Sequence, residues 1–394
     1  MGRIPGIFRF EFENDQRVAW EAVHTGVVDK NTTTRRKYWR CWVQYTSYLG
    51  IGPYLQGQSD DAVVALLGFA ARVRSGAYGK GKRVGVQSVT NALGAISKTI
   101  EMGGYNSPAY RHHKTYILPL ERMIESFRRQ DPPPTPQLAV PVSIPEHLFG
   151  KGFLPKATPI QIATGLLALI AFYYMLRVGE YTVHTSNDDD RSSQTRTVQF
   201  TVKDVTFWKN GALMKNWKNY HTADEATLRL TNQNNGKKNG TIHHEAITDN
   251  SGYCPIKALA YRIQHILSHG GDDASWLCDY WDGLQWRKVT AQNMTTAVKN
   301  ATVDTKLYEQ GITPKDVSSH SLRAGGAMAL KLNGASDTTI KKAGRWTSMA
   351  FPQYIHNQIG HLSSGLSQTM KTKVPFRNVA EMSNWKITST YNNV

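Results

Sequence analysis

The segment Ser318-Ser319-His320-Ser321-Leu322-Arg323-Ala324-Gly325-Gly326-Ala327 sets an imidazole and a guanidinium three residues apart. Ser318, Ser319 or Ser321 can cap a helix beginning here, which places both groups in its first turn. Residues at i and i+3 share a helix face, so His320 and Arg323 point at one object. A helix N-terminus draws anions through its open N–H groups and its dipole. The planar fork of arginine donates two parallel hydrogen bonds to two oxygens. Together these parts suit a phosphate.

Two further segments carry groups of the same kind. Arg177 follows the apolar run Tyr174-Met175-Leu176, where a guanidinium needs a counter-anion. That anion is either Glu180, three residues on, or something bound. Downstream, Gly344 in Ala343-Gly344-Arg345-Trp346 ends a short helix begun near Ser336 or Asp337. Trp346 and Tyr354 then flank a turn containing Pro352. Taken singly, each of these aromatics reads as a core residue.

Other chemistries have weaker support. Gly79-Lys80-Gly81-Lys82 lacks the spacing of a nucleotide-binding loop and has no strand before it, so it reads as a solvated basic turn. His243-His244-Glu245 lies on a predicted strand, where neighbours face opposite sides, and its two histidines should not converge on one metal ion. Three widely spaced cysteines, Cys41, Cys254 and Cys278, form neither a disulfide framework nor a zinc pattern and imply a reducing compartment. The apolar stretch Gly165–Leu176 is too short for a membrane span, which needs about 20 residues. The start Met-Gly-Arg-Ile-Pro-Gly lacks the apolar core of a signal peptide.

The charge narrows the partner. The 394 residues include 47 Lys and Arg against 30 Asp and Glu, a formal net charge of +17. The excess is shared, +8 over residues 1–136 and +9 over residues 137–394. Such a balance favours a polyanion gripped by two regions, with nucleic acid ahead of an anionic membrane surface.

The elements that must position these groups follow from periodicity and punctuation. Asp131-Pro132-Pro133-Pro134-Thr135-Pro136 cannot continue a helix and divides a smaller N-terminal region from a larger one. Before it, Arg35–Leu49, a helix capped at Ser59 or Asp60 with Val63, Val64, Leu66, Leu67 and Phe69 as apolar positions, Val86–Ile100 and Leu118–Phe127 are predicted helices. Beyond it, Thr158–Leu176 reads as an apolar core helix, and Val198–Phe207, Leu228–Leu230 and Thr241–His244 as strands. Asn232–Gly240 is a hairpin turn between the last two. Pro255 starts a helix carrying Ile256, Leu259, Ile263 and Ile266, and the pattern from there to Tyr354 is helical.

With these motifs in this order, residues 140–360 resemble the tyrosine recombinases (integrases): an arginine in an LRxxE context, a β-hairpin, HxLR, a GRW box and a tyrosine. The wording SLRAGGA and GRWTSMAFPQYI looks most like the eukaryotic branch of Crypton-type mobile elements. The resemblance implies a mainly α fold with a small antiparallel β-sheet (α+β). It implies a helical core-binding domain over residues 1–130, a linker over 131–137, and a catalytic domain with its tail over 138–394.

Carried over residue by residue, the resemblance implies Arg177 as the first catalytic arginine with Glu180 in support, and His320 and Arg323 as the HxxR pair. Trp346 takes the family's His-or-Trp position, and Tyr354 that of the nucleophile. The family's catalytic lysine is replaced by Asn234, with Lys237 and Lys238 three and four residues on. An amide cannot protonate a leaving 5′-oxygen as an ammonium can. Two readings therefore stand: a mobile-element recombinase working through a 3′-phosphotyrosyl intermediate, and a domesticated DNA-binding protein with impaired chemistry. A topoisomerase-like enzyme of the same chemistry comes third. The resemblance further implies double-stranded DNA and a homotetramer as partners, no membrane, no cofactor or metal, and a nuclear location if the source is eukaryotic, otherwise an intracellular one.

Overall fold

The computed structural model describes residues 13–15, 17–18, 29–55, 59–110, 115–132, 137–183, 199–231, 240–249 and 252–346. Among them the architecture is mainly helical, with one four-stranded and one two-stranded antiparallel sheet. No helix among the described residues is long and apolar enough to cross a membrane.

Four helices, α1 (Asp29–Leu49), α2 (Ser59–Ser75), α3 (Val86–Met102) and α4 (Leu118–Gln130), share a core that includes Trp42, Leu66, Phe69, Leu93, Ile96, Leu120 and Ile124. The aromatic cluster at its centre packs Trp42 edge-on against Phe69. Val64, expected in this core, is 67% exposed: Ala65 and Leu66 supply the buried face of α2 instead. An unbroken apolar run does not by itself say which face turns inward. The chain leaves this core through Asp131, whose carboxylate accepts the Val86 N–H and pairs with the buried Arg74. On the far side of residues 133–136, Leu138 donates its N–H to the Asp316 carbonyl and Val140 to that of Ser321. Both ends of the proline segment are thus tied down.

The second core centres on α6 (Pro159–Tyr173), buried along most of its length and packed by α5 (Ser143–Gly152) and α8 (Pro255–Ser268). A reciprocal Thr158–Gln161 capping box starts α6. The helix stops three residues short of the expected Leu176, because Met175 adopts a left-handed backbone (φ 44°). The Leu176 N–H then bonds to the Ala171 carbonyl and that of Met175 to the Phe172 carbonyl, which is a Schellman closure. This closure turns the chain into α7 (Val178–Tyr181), a single turn that carries Glu180.

The larger sheet runs β2-β1-β3-β4, from β1 (Val205–Lys209), β2 (Ala212–Leu213), β3 (Glu225–Leu230) and β4 (Gly240–Glu245). Phe207, Ala226, Leu228 and Ile242 lie on its buried face. The Leu230–Gly240 pair closes β3 and β4 into the expected hairpin. The first strand starts at Val205, later than expected, because Asp204 accepts from Thr201 and bends Val202–Asp204 into a 3-10 turn. His243 and His244 do face opposite sides, His244 packing edge-on against Tyr174.

The stretch from α8 onward is not wholly helical. A hairpin of β5 (Asp279–Trp281) and β6 (Trp286–Lys288) interrupts it, turning through Gly283 (φ 103°). Strands of three residues are too short to show a period. Helices α9 (Ala291–Asp304), α10 (His320–Leu332) and α11 (Asp337–Ala343) follow. Gly325 and Gly326 let α10 press onto α6: a Cβ at Gly326 would stand 2.4 Å from the Phe172 carbonyl oxygen, and one at Gly325 2.2 Å from that of Val140. This close approach carries the start of α10 beneath the Met175 turn.

Candidate active site

Helix α10 begins at His320, whose N–H donates to Ser318 Oγ, while Ser321 Oγ accepts the Ser318 N–H. Of the three serines, Ser318 thus takes one open N–H of this helix, while Ser319 at the N-cap makes no side-chain capping bond. One turn on, the Arg323 side chain lies almost wholly buried, at 1% exposure. Its guanidinium donates to the Met175 carbonyl through one terminal nitrogen and to the Gly344 carbonyl through the other. The Trp346 ring stacks 4.6 Å from it. Two carbonyls and one aromatic face thus fix the plane of the fork before any ligand arrives.

The Met175 carbonyl has a second donor. Arg345, 170 residues away, donates to it at 2.9 Å. The same guanidinium grips both oxygens of Glu180, at 2.9 and 3.0 Å. Glu180 is 1% exposed, and Arg177 reaches its Oε1 at 3.2 Å while donating its own N–H to Oε2 at 2.8 Å. Three guanidiniums from distant segments are therefore joined through two shared acceptors, the Met175 carbonyl and the Glu180 carboxylate. Only Arg177 was singled out with a counter-anion by its spacing, since it forms an i,i+3 pair with Glu180.

Among the described residues, the Glu180 carboxylate pairs with Arg177 and Arg345, while Arg323 is held by the Met175 and Gly344 carbonyls. A guanidinium held away from water is costly unless hydrogen-bond acceptors or an anion join it. Access exists on one side: the Arg177 side chain is 29% exposed, against 9% for Arg345, and His320 stands at the surface. Partial loss of hydration, and then the charge of Arg323, pull the His320 imidazole below its ordinary value and favour its neutral form.

Of the residues the sequence singled out, Arg177, Glu180, His320, Arg323 and Trp346 gather around the Met175–Glu180 turn. Trp346 does so by supporting Arg323, with its ring folded over Gly344. Tyr354, Asn234, Lys237 and Lys238 lie outside the described residues. Sequence reading passed over Arg345, whose signal was available only as a basic residue just beyond a helix-ending glycine. Among the described residues, no group of three or more His, Cys, Asp or Glu side chains is placed to hold a metal ion.

No protein-family model matches the chain, and no curated protein does. Among solved structures, the chain is similar to the Tn1549 transposon integrase in complex with transposon right end DNA, at 14% identity and a TM-score of 0.48, over 90% of this chain and 98% of that one. The same integrase with circular intermediate DNA gives 14% identity and a TM-score of 0.47 over the same shares. XerA recombinase gives 14% identity and a TM-score of 0.36, over 86% of this chain and 99% of that one.

Proposed function

We propose that this protein is a tyrosine recombinase, cutting and rejoining double-stranded DNA through a covalent 3′-phosphotyrosyl intermediate. The observation that carries the reading is the convergence of Arg177, Arg323 and Arg345 on one turn, with the Glu180 carboxylate between Arg177 and Arg345. A phosphodiester anion at the open side would meet guanidiniums already fixed in place.

In this reading Arg177 and Arg323 neutralise the charge that builds on the non-bridging oxygens during attack. Donors fixed in advance stabilise such charge without reorganising. The Tyr354 phenol attacks phosphorus in line, forming the tyrosyl–phosphate bond and releasing the 5′-oxygen. Neutral His320 takes the phenolic proton. The leaving oxygen draws its proton from the β3–β4 loop that holds Asn234, Lys237 and Lys238. The phosphoester energy stays in the new bond, so the 5′-hydroxyl can reverse the step without ATP.

The finer parts of the reading rest on the motif wording and the charge. They are a Crypton-type mobile element as the source, residues 1–130 as a core-binding domain clamping DNA against residues 138–394, four protomers on two DNA sites, and work in a nucleus. Exposed Lys80, Lys82 and Arg83, on the turn after α2, supply phosphate contacts in that clamp.

The test uses nicked suicide DNA carrying the ends of the protein's own element. The reading expects a denaturation-resistant protein–DNA adduct that vanishes in Tyr354→Phe. Salt-sensitive DNA binding with no adduct in the wild type would replace it with the DNA-binding protein that has lost its chemistry.

A further inference from the structure

We propose that Arg345 is a positioning residue, which occupies Glu180 so that the Arg177 fork stays available to the phosphate. The inference rests on the recombinase reading and adds a role to it.

The geometry divides the work between the two arginines. A carboxylate matches one guanidinium fork fully, and Arg345 holds that bidentate arrangement on Glu180, at 2.9 and 3.0 Å. Among the described residues Arg177 has a single side-chain hydrogen bond, at 3.2 Å, on an oxygen that Arg345 already uses. Without Arg345, the nearly buried Glu180 would turn to its next cation, and Arg177 would swing inward to meet it. With Arg345 in place, Arg177 stays tethered yet more than a quarter exposed.

The backbone indicates that this arrangement is maintained against a cost. Helix α11 ends in a Schellman closure, with Arg345 donating to the Lys342 carbonyl and Trp346 to that of Lys341. The left-handed residue of that motif is usually glycine, yet here it is Arg345, at φ 58°. Gly344 comes one position earlier, where its missing Cβ leaves room for the Trp346 ring. A bulky side chain in left-handed backbone persists where its surroundings hold it, and such sites cluster at functional centres. The third Arg345 bond, to the Met175 carbonyl, lands on the acceptor shared with Arg323. One side chain therefore links both halves of the clamp.

Four variants test this on the full chain: Arg345→Gly, which suits the backbone, Arg345→Lys, Glu180→Gln, and the double Glu180→Gln/Arg345→Gly. For each, thermal midpoint, DNA affinity at fixed salt and single-turnover adduct rate are measured. Arg345→Gly should melt below wild type, because it takes the bidentate partner from the buried Glu180. It should stay folded and bind DNA close to wild type, yet form adduct about 10–100-fold more slowly, the usual cost of losing a supporting partner. Arg345→Lys should be slow as well, since an ammonium cannot make the fork-to-fork pair; it carries the test if the glycine variant does not fold. The double variant should be no slower than the slower single one. A wild-type adduct rate in folded Arg345→Gly or Arg345→Lys overturns the proposal. So do effects that multiply in the double variant, which would place Arg345 on the phosphate itself. If the wild-type protein forms no adduct at all, the recombinase reading fails first and this inference falls with it.

Discussion

Two buried arginines in the same core behave in opposite ways. Arg262, on α8, is wholly buried, and its Nε donates to the Leu277 carbonyl at 2.7 Å. Its terminal nitrogens have no hydrogen-bond partner among the described residues, and burial pulls its pKa down to about 10. Asp279 lies close enough to offset its charge. Arg323 is equally hidden, but it shares an acceptor with Arg345, which in turn grips Glu180 beside the partly exposed Arg177. Burial therefore does not mark a guanidinium as functional. In the recombinase reading, what sets Arg323 apart is its link to other arginines beside an open face.

The largest expected effect separates these two residues directly. Arg323→Met should slow adduct formation about 10²–10³-fold, the scale for losing one preorganised donor to a developing anion. Arg262→Met should leave the adduct rate at the wild-type value. It should instead lower stability by about 1–3 kcal/mol, because the buried Leu277 carbonyl loses its donor. If both variants lowered the rate alike, the distinction between a structural and a functional arginine here would collapse.

A smaller effect concerns His320, at the edge of the charged group. Its folded value lies below the ordinary 6.5, so the proton-accepting neutral form persists further into acid than in a free histidine. The adduct rate should stay level as pH falls to 6.5 and decline only below it. His320→Gln should remove that decline and slow the reaction about 10²-fold. A profile that already falls above pH 6.5 would show that another group takes the phenolic proton.

The smallest effect is expected at Gly344. A Cβ there would stand 1.7 Å from the Trp346 ring, which must then leave the Arg323 guanidinium. Overpacking of this kind costs about 1–3 kcal/mol. Gly344→Ala should lower the melting point and slow adduct formation less than Arg323→Met does. An unchanged melting point would mean that the ring has room to move and does not hold Arg323.

Much of this arrangement is legible in the residue order. The serine-led start of α10, the Thr158 start of α6, the Pro255 start of α8 and the pairing of β3 with β4 each depend on a few neighbouring residues. All four appear where those signals place them, the turn residues 232–239 lying outside the described residues. The misses have a common cause. The early end of α6 at Met175, the outward side of Val64 and the short β5–β6 hairpin depend on packing from elsewhere, which overrides weak local preference.

The sequence by itself determined that His320 and Arg323 lie in the first turn of one helix and that Glu180 lies within reach of Arg177. Helical geometry enforces both spacings whatever surrounds them. It could not say that Arg345, 165 residues from Glu180, would hold that carboxylate, or that Arg323 would be buried beneath the Met175 turn. Those contacts exist because Gly325 and Gly326 let α10 close onto α6, and because two helices end in left-handed residues that aim their chains at each other. Contacts of that range depend on how surfaces fit, which only the folded chain decides.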